Sequence, residues 1–584
     1  MKGKAIVSMM GAMGTLMAKT FEKDLPKAEY KDVEIRELDI PMSDGVKLHA
    51  IVSSPDFSKP LPVIVLRNPY IMYDWMRNIY HIPFGKHGYV FIHVKVRGTY
   101  SSEGEFVPFE NDIKDGHDTL DWITEQPWCD GNIGMIGASY SGYTQWACAD
   151  YHKPALKGMF LSVAGAEGYD VFYHRGLFNE EVWGEWAAQQ MGDNKNEMWA
   201  GPSGNKLREK AFAANPPITI GETLIGEHCD FFDKWATNWK GDEPYWTKGF
   251  WKDFQNQAEE LDVPVFLHAG WWDIFQHVQM SSWKRMKPAT KDKSILMIGP
   301  WAHSGLSGGD LKYPGEGNCG FLQIPIAIKW FDHIIKGKTF DYEEGHIYAY
   351  NIGNMEWDKL GRDFAEDETL TFYLDASDKK KKAYKADTEV PKKAEVSYKY
   401  DPKDPVPSKG GRLIAAHNGG VGLTPECSCL QDPVGKRKDI LSFVTEEFRK
   451  DTKIIGSIGA TLFVSSDAPA TAFTIKVSEV MENGDTYNIR DDYTDIRWLD
   501  NDTYEDYKPG KVRELTFEMT EISWTLKKGS KLRIDISSSS NPQFLPHKNT
   551  TEPWAYAKKG KKAEQTIYTG GKYASRITVP VVKE

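Results

Sequence analysis

The alternation of apolar and polar positions divides the chain into stretches of different character. Residues 33–42 (VEIRELDIPM) and 47–53 (KLHAIVS) alternate with a period of two, and SDGV between them predicts a hairpin. PVIVL (62–66) and YVFIHVKV (89–96) are continuous and β-branched, the pattern of strands buried on both faces. Residues 111–126 then predict a helix, IGMIGA a strand, GYTQWACADY a helix and LKGMFLSVAG another strand. Strand and helix in regular succession predict a parallel sheet covered on both faces.

The succession stops near residue 170. From there to about 258 the chain is helix-like and aromatic, with Phe172, Tyr173, Phe178, Trp183, Trp186, Trp199, Phe231, Phe232, Trp235, Trp239, Trp246 and Trp251. It resumes with the strand VPVFLHAGWWD, a helix near 276–286, the strand SILMIGPWAH and the helix FLQIPIAIKWFDHIIKG. An interruption between two halves of a sheet predicts a helical cap over 171–258, inserted in an α/β domain of residues 31–170 and 259–340. Beyond that, TLTFYLDA, ATLFVSS, AFTIKVSEV, ELTFEM, KLRIDISSSS and SRITVPVV predict an antiparallel β-sandwich over 341–584. There is no internal repeat.

Composition sharpens this picture. A chain of 584 residues is too long for one ordinary core, and 40% apolar with 27% charged residues marks a globular protein. The net charge of −11 argues against a nucleic-acid partner, which would require a basic face. The Lys379–Lys382 run is flanked by Asp375 and Asp378 and reads as a solvated loop. Six cysteines make no disulfide framework, and the Cys427/Cys429 pair has no second pair at zinc-ligand spacing. Reduced thiols favour the cytoplasm. Lys2 and Lys4 precede an apolar run that resembles an export signal, but Met9, Met13, Leu16 and Met17 recur at helical spacing. Residues 1–30 are therefore read as a helical segment, with export left open. No later run is long enough to span a membrane.

The candidate chemistry centres on Gly137-Ala138-Ser139-Tyr140-Ser141-Gly142, where an apolar strand turns into a helix. A serine on such a turn stands exposed, and crowding demands small neighbours. The usual hydrolase pattern has glycines two before and two after the serine; here the second is displaced by one. Gly-x-Ser alone is common, and a glycine-rich turn without chemistry has equal claim. A serine nucleophile also requires a base and an orienting carboxylate, placed in doubly wound sheets at the carboxyl ends of strands. Two downstream strands end in Asp273 and His303. The order Ser, Asp, His is the one the α/β-hydrolase fold uses.

These residues also carry a resemblance. WCDGNIGMIGASYSGYTQW, AGWWD and GPWAHSG resemble the cocaine esterase family, whose relatives include α-amino-acid ester hydrolases, glutaryl-cephalosporanic acid acylases and X-Pro dipeptidyl-peptidases. MSDGVKLHA, LRNPY, RGTYSSEGEF, SYKYDPKDPVPSKGG, VSSDAPATAFTIKV and SSSSNPQF extend it over nearly the whole chain. The resemblance implies an α/β-hydrolase core, an inserted helical cap and a C-terminal jelly roll of the galactose-binding type. It implies Ser139 as nucleophile, His303 as general base and Asp273 as its orienting carboxylate, with Tyr70 and the Tyr140 backbone N–H as oxyanion donors. No cofactor or metal is implied.

Amino-acid ester hydrolases carry acidic residues shortly after the catalytic Asp; this chain has Ile274, Phe275 and Gln276 there, which speaks against that subtype. Glu180, Glu181 and Glu185 read as the solvated face of a helix on which Phe178, Val182 and Trp186 pack inward. Asp112, Asp115, Asp118 and Asp121, with His117, are better explained as carboxylates near a helix start than as metal ligands. The cap aromatics are expected both to form core and to line an acyl pocket. The expectation is a serine hydrolase of the carboxylesterase or acylase type acting on a small ester, amide or short peptide, with a homo-oligomer left open. An X-Pro dipeptidyl-peptidase is the alternative. A binding protein using its β-sandwich is the alternative of another class, although no motif points to sugar binding.

Overall fold

The computed structural model describes residues 19–70, 76–179, 182–184, 186–187, 190, 210–211, 213–303, 305–314, 323–378, 382–414, 426–500 and 503–583. Most of the expected N-terminal helical segment, Glu180, Glu181, Glu185, Trp199 and Lys379–Lys381 lie outside them.

Ten strands form the first sheet, in the order β1-β2-β4-β3-β5-β6-β9-β10-β11-β12. They are β1 Glu34–Pro41, β2 Lys47–Ser54, β3 Leu61–Asn68, β4 Val90–Lys95, β5 Cys129–Ala138, β6 Leu156–Ser162, β9 Val265–Trp272, β10 Ile295–Ala302, β11 His346–Asn351 and β12 Glu356–Leu360. The expected hairpin is β1 and β2, antiparallel at one edge. From β4 through β11 every neighbouring pair is parallel. The central strands β9 and β10 are buried at every position, as continuous apolar runs require. The helix Asp112–Thr124 turns Leu120 and Ile123 inward, and the helix Gln323–Lys336 buries Ile328, Trp330 and Phe331. Strands β11 and β12 complete this sheet although they lie beyond residue 340, where the sequence pattern places the start of the sandwich. A short alternating strand looks the same whichever sheet it joins, so the sequence carries no mark of the difference.

Between β6 and β9 come helices Ile220–Ile225, Asp230–Thr237, Gly249–Gln255 and shorter turns. The segment is not wholly helical, because Tyr173–His174 (β7) and Leu177–Phe178 (β8) pair as a small antiparallel hairpin. Phe172, Trp183, Trp235, Trp246 and Trp251 are buried together; Phe172 lies 4.4 Å from Trp183 and 4.7 Å from Trp235 between ring centroids. Aromatic edges and faces packed this closely supply a core to a segment with little regular structure.

Thirteen further strands, from Glu368 to Val582, form the second sheet network, folded as a β-sandwich. Its pairings are antiparallel except where Tyr384–Asp387 meets Leu441–Val444. Arg490 joins the two parts: buried, it donates to the carbonyl of Trp271 at 2.9 Å and to that of Glu521. No described helix is long and apolar enough to cross a membrane.

Candidate active site

Ser139 directly follows β5 and precedes the helix Tyr140–Trp146, with φ 56° and ψ −124°. A non-glycine residue there is strained, and only surroundings that fix it on both sides maintain it. Its N–H donates to Ser162 O on β6, and its carbonyl accepts from Gly142 and Tyr143. Two glycines make the turn sterically feasible. A Cβ on Gly137 would stand 2.2 Å from the Ser141 Cβ, and one on Gly142 would stand 2.5 Å from the Ala164 Cβ. The displaced second glycine thus serves packing against β6, and Ser141 occupies the usual glycine position because Gly137 makes room for it. The turn leaves the Ser139 side chain partly exposed.

Asp273 and His303 directly follow β9 and β10, adjacent parallel strands, while β6 lies between β5 and β9. All three residues therefore stand at the same carboxyl-end edge of the sheet. His303 Nδ1 donates to Asp273 Oδ1 at 2.6 Å, because an ionised carboxylate can only accept. In the neutral ring this leaves Nε2 as an acceptor, the tautomer that can take a proton from a hydroxyl. Asp273 is 0% exposed, and its Oδ2 finds no partner among the described residues. The β10 register shifts between Gly299 and Ala302, an irregularity next to His303. Such irregularities re-aim a side chain at the rim of a sheet. Phe275 meets the imidazole edge-to-face at 5.3 Å.

Tyr70 lies two residues past β3. Its hydroxyl accepts from Trp186 Nε1 at 3.2 Å, and its ring lies 6.4 Å from that of Tyr140. Its backbone is held by buried polar groups. Asn68 Oδ1 accepts Tyr70 N–H at 3.1 Å, and Asn68 Nδ2 donates to Ser141 Oγ. Lys95 Nζ donates to the Tyr70 carbonyl, and burial brings its ammonium down to about 7. The N–H of Tyr140 opens a helix, where no carbonyl one turn back can claim it.

The aspartates of the helix Asp112–Thr124 do not converge. Asp112 pairs with Arg67, Asp115 with Arg97 and Asp121 with Lys153, while Asp118 accepts the Ser43 N–H. His117 pairs with Asp150. Ile274 and Phe275 are buried, and Gln276 donates to Glu521 O, so no acid stands at these positions beside Asp273.

Sequence reasoning missed several residues around this edge. Phe109, at φ 73°, stacks on Tyr140 at 4.7 Å and on Trp186 at 6.1 Å, joining the nucleophile turn to the cap. Glu426, from the second sheet's side, is 4% exposed; burial, then the Asp273 charge, raise its carboxyl to about 7. The loop after it packs on the loop after His303, where Asp310 and Leu311 N–H both donate to Ser428 O. Nothing in the local sequence marks Phe109, and Glu426 shows there only as an isolated acid among small residues.

The chain resembles known proteins over nearly its whole length. Residues 44–305 match the family described as X-Pro dipeptidyl-peptidase (S15 family), and residues 354–578 the X-Pro dipeptidyl-peptidase C-terminal non-catalytic domain. The chain is 30% identical over 575 residues to a cocaine esterase of Rhodococcus sp. (strain MB1 Bresler), covering 93% of this chain and 98% of that protein. Among solved structures, an aminopeptidase from the marine sediment archaeon Thaumarchaeota archaeon superposes with TM-score 0.81 at 23% identity, over 96% of this chain and 98% of that one. An α-amino acid ester hydrolase superposes with TM-score 0.74 at 22% identity, over 95% and 98%. At those identities the two structures speak for the fold. The chain belongs to the cocaine esterase and X-Pro dipeptidyl-peptidase (S15) family, and it is a serine hydrolase.

Proposed function

We propose that this hydrolase is a carboxylesterase or acylase with Ser139 as nucleophile, His303 as general base and Asp273 as the carboxylate that orients it. The observation that carries the reading is the 2.6 Å His303–Asp273 hydrogen bond, at the sheet edge where the strained Ser139 turn emerges. Ser139 Oγ attacks the acyl carbon while His303 Nε2 takes its proton. The Tyr70 hydroxyl and the Tyr140 N–H donate to the oxygen that becomes negative. His303 returns the proton to the leaving oxygen or nitrogen, and water, activated by the same imidazole, releases the acid and frees Ser139. Asp273 holds the imidazole in one tautomer and stabilises its cation.

Phe275, Trp186 and Tyr140 stand about this edge and favour an ester with an aromatic or bulky apolar acyl group. The cocaine esterase relative, matched over nearly its whole length, supports the same substrate class. The S15 family match motivates a second reading, an X-Pro dipeptidyl-peptidase, which would need a carboxylate for a free substrate amine. With the catalytic edge go three domains: the hydrolase core (31–170 with 259 onward through β12), the cap (171–258) and the strands beyond β12, the last a jelly roll of galactose-binding-like form, in a cytoplasmic protein. A fluorophosphonate probe with peptide mapping tests the assignment. A single adduct on Ser139, lost in Ser139→Ala, supports it; labelling elsewhere, or none in folded protein, overturns it. Aryl esters and dipeptidyl-proline amides compared as substrates then separate the two readings.

A further inference from the structure

A cavity of about 280 Å3, with no residue of the proposed triad in its lining, opens on the β-sandwich over four adjacent strands. They are Leu441–Val444, Lys531–Ser537, Ala472–Val480 and Thr486–Asp495. Their register sets one polar row across its floor: Ser442 opposite Asp535, Asp535 opposite Lys476, Lys476 opposite Asp491. Cross-strand partners share a face, so the four side chains stand side by side at the strand spacing of about 5 Å. The next row holds Ser537 and Thr474, joined at 2.6 Å.

Three members of this row have hydrogen-bond partners, and Asp491 has none among the described residues. Asp535 accepts from Ser442 and forms a two-point pair with Arg533. Lys476 donates only to neutral acceptors, Lys409 O at 3.1 Å and Gln431 Oε1 at 3.2 Å. No carboxylate among the described residues comes within ion-pair distance of it, and burial lowers its pKa. Asp491 is 9% exposed and lines the cavity, and its carboxylate has no hydrogen-bond or ion-pair partner among the described residues. A carboxylate so enclosed is costly unless something donates to it.

We propose that this cavity binds a neutral polyhydroxylated ligand of monosaccharide size, bridging Asp491 and Lys476. On the floor two carboxylates (Asp491, Asp535) and two cations (Lys476, Arg533) alternate, while the other charged groups of the lining are already paired: Lys409 and Lys436 with Asp432, Arg437 with Asp404 and Asp439, and Asp492 with His174. An anion would face both carboxylates, and a cation would face both basic groups. A hydroxyl does what neither can: it donates to Asp491 and accepts from Lys476 at once, and a neighbouring hydroxyl on the same ring reaches the Thr474–Ser537 pair. Ile440, Pro433 and the edges of the Tyr493–Phe544 stack give an apolar wall for the C–H faces of a sugar ring. The volume admits one ring.

The test is thermal shift and isothermal titration of the full chain with glucose, galactose, mannose and their methyl glycosides, with phosphate and glycine as charged comparators. Saturable binding of at least one neutral probe at millimolar concentration is expected. Its affinity should fall at least about tenfold in Asp491→Ala and in Lys476→Met. Ester hydrolysis should keep wild-type kcat and KM in these variants, which also reports folding. Pro433→Trp, at the exposed lip, should abolish binding without touching the polar row, so the test survives should a floor variant fail to fold. Binding of the free sugar alone marks a free monosaccharide as the ligand, and binding of the methyl glycoside too marks the end of a glycan. No saturable binding of any neutral probe, unchanged affinity in the variants, or binding of phosphate or glycine alone would overturn the proposal.

Discussion

Asn68 Oδ1 accepts the backbone N–H of Tyr70 at 3.1 Å while its Nδ2 donates to Ser141 Oγ at 3.3 Å. One buried amide thus joins the tyrosine assigned to the oxyanion hole with the turn that presents Ser139. His93 Nε2 shares the same Oδ1 at 2.9 Å, and Lys95 holds the Tyr70 carbonyl from the other side.

That clamp makes a prediction. Asn68→Ala should lower kcat about tenfold with little change in KM, because it loosens donors that act on the developing charge. Steady-state kinetics on an aryl ester checks it; a rise in KM at constant kcat would place Asn68 in substrate binding instead.

Tyr70→Phe removes the hydroxyl and leaves the ring packed beside Tyr140. Turnover should fall on the order of a hundredfold while thermal stability stays near wild type. An unchanged rate would take this hydroxyl out of the oxyanion hole.

Two buried aspartates should separate by what they break. Asp273→Asn should reduce kcat by roughly a thousandfold or more, because the amide no longer fixes the His303 tautomer, with folding retained. Asp112→Asn leaves the buried Arg67 charge without its carboxylate and should cost about 3–5 kcal/mol of stability. Urea denaturation beside kinetics tells the two apart, and equal losses of activity at equal stability would undo the assignment of Asp273.

Glu426 makes stability depend on pH in a stated direction. Burial, then the Asp273 charge, raise its carboxyl from an ordinary 4.5 to about 7, so the folded chain holds this proton more tightly than the unfolded one. Its contribution is therefore most favourable below 4.5 and is lost as pH rises through about 7. Glu426→Gln should melt close to wild type near pH 4 and higher than wild type near pH 8.5, by an amount on the order of a few kcal/mol. Melting curves at the two pH values decide it, and a variant with the same offset at both would remove Glu426 as the source.

The sequence by itself determined the parallel sheet, because β3, β4, β9 and β10 are predominantly apolar on both faces and call for covering layers on each side. It also pointed to the proposed triad, since Asp273 and His303 directly follow β9 and β10 and Ser139 follows the apolar end of β5, and strand ends are legible wherever an apolar run stops. What it could not reach were relations between residues far apart in the chain. Strands β11 and β12 carry the same alternating pattern as those of the sandwich, and only hydrogen bonding to β10 assigns them to the first sheet. The aspartates of the helix Asp112–Thr124 recur at a spacing that suggests one cluster, yet Arg67, Arg97, Lys153 and the Ser43 N–H each claim one from a different direction. The row Ser442, Asp535, Lys476 and Asp491 comes from four separate segments and exists only through strand register. Local pattern fixes which face of an element is apolar; the pairing of distant elements decides which polar groups meet, and that is settled only when the tertiary structure forms.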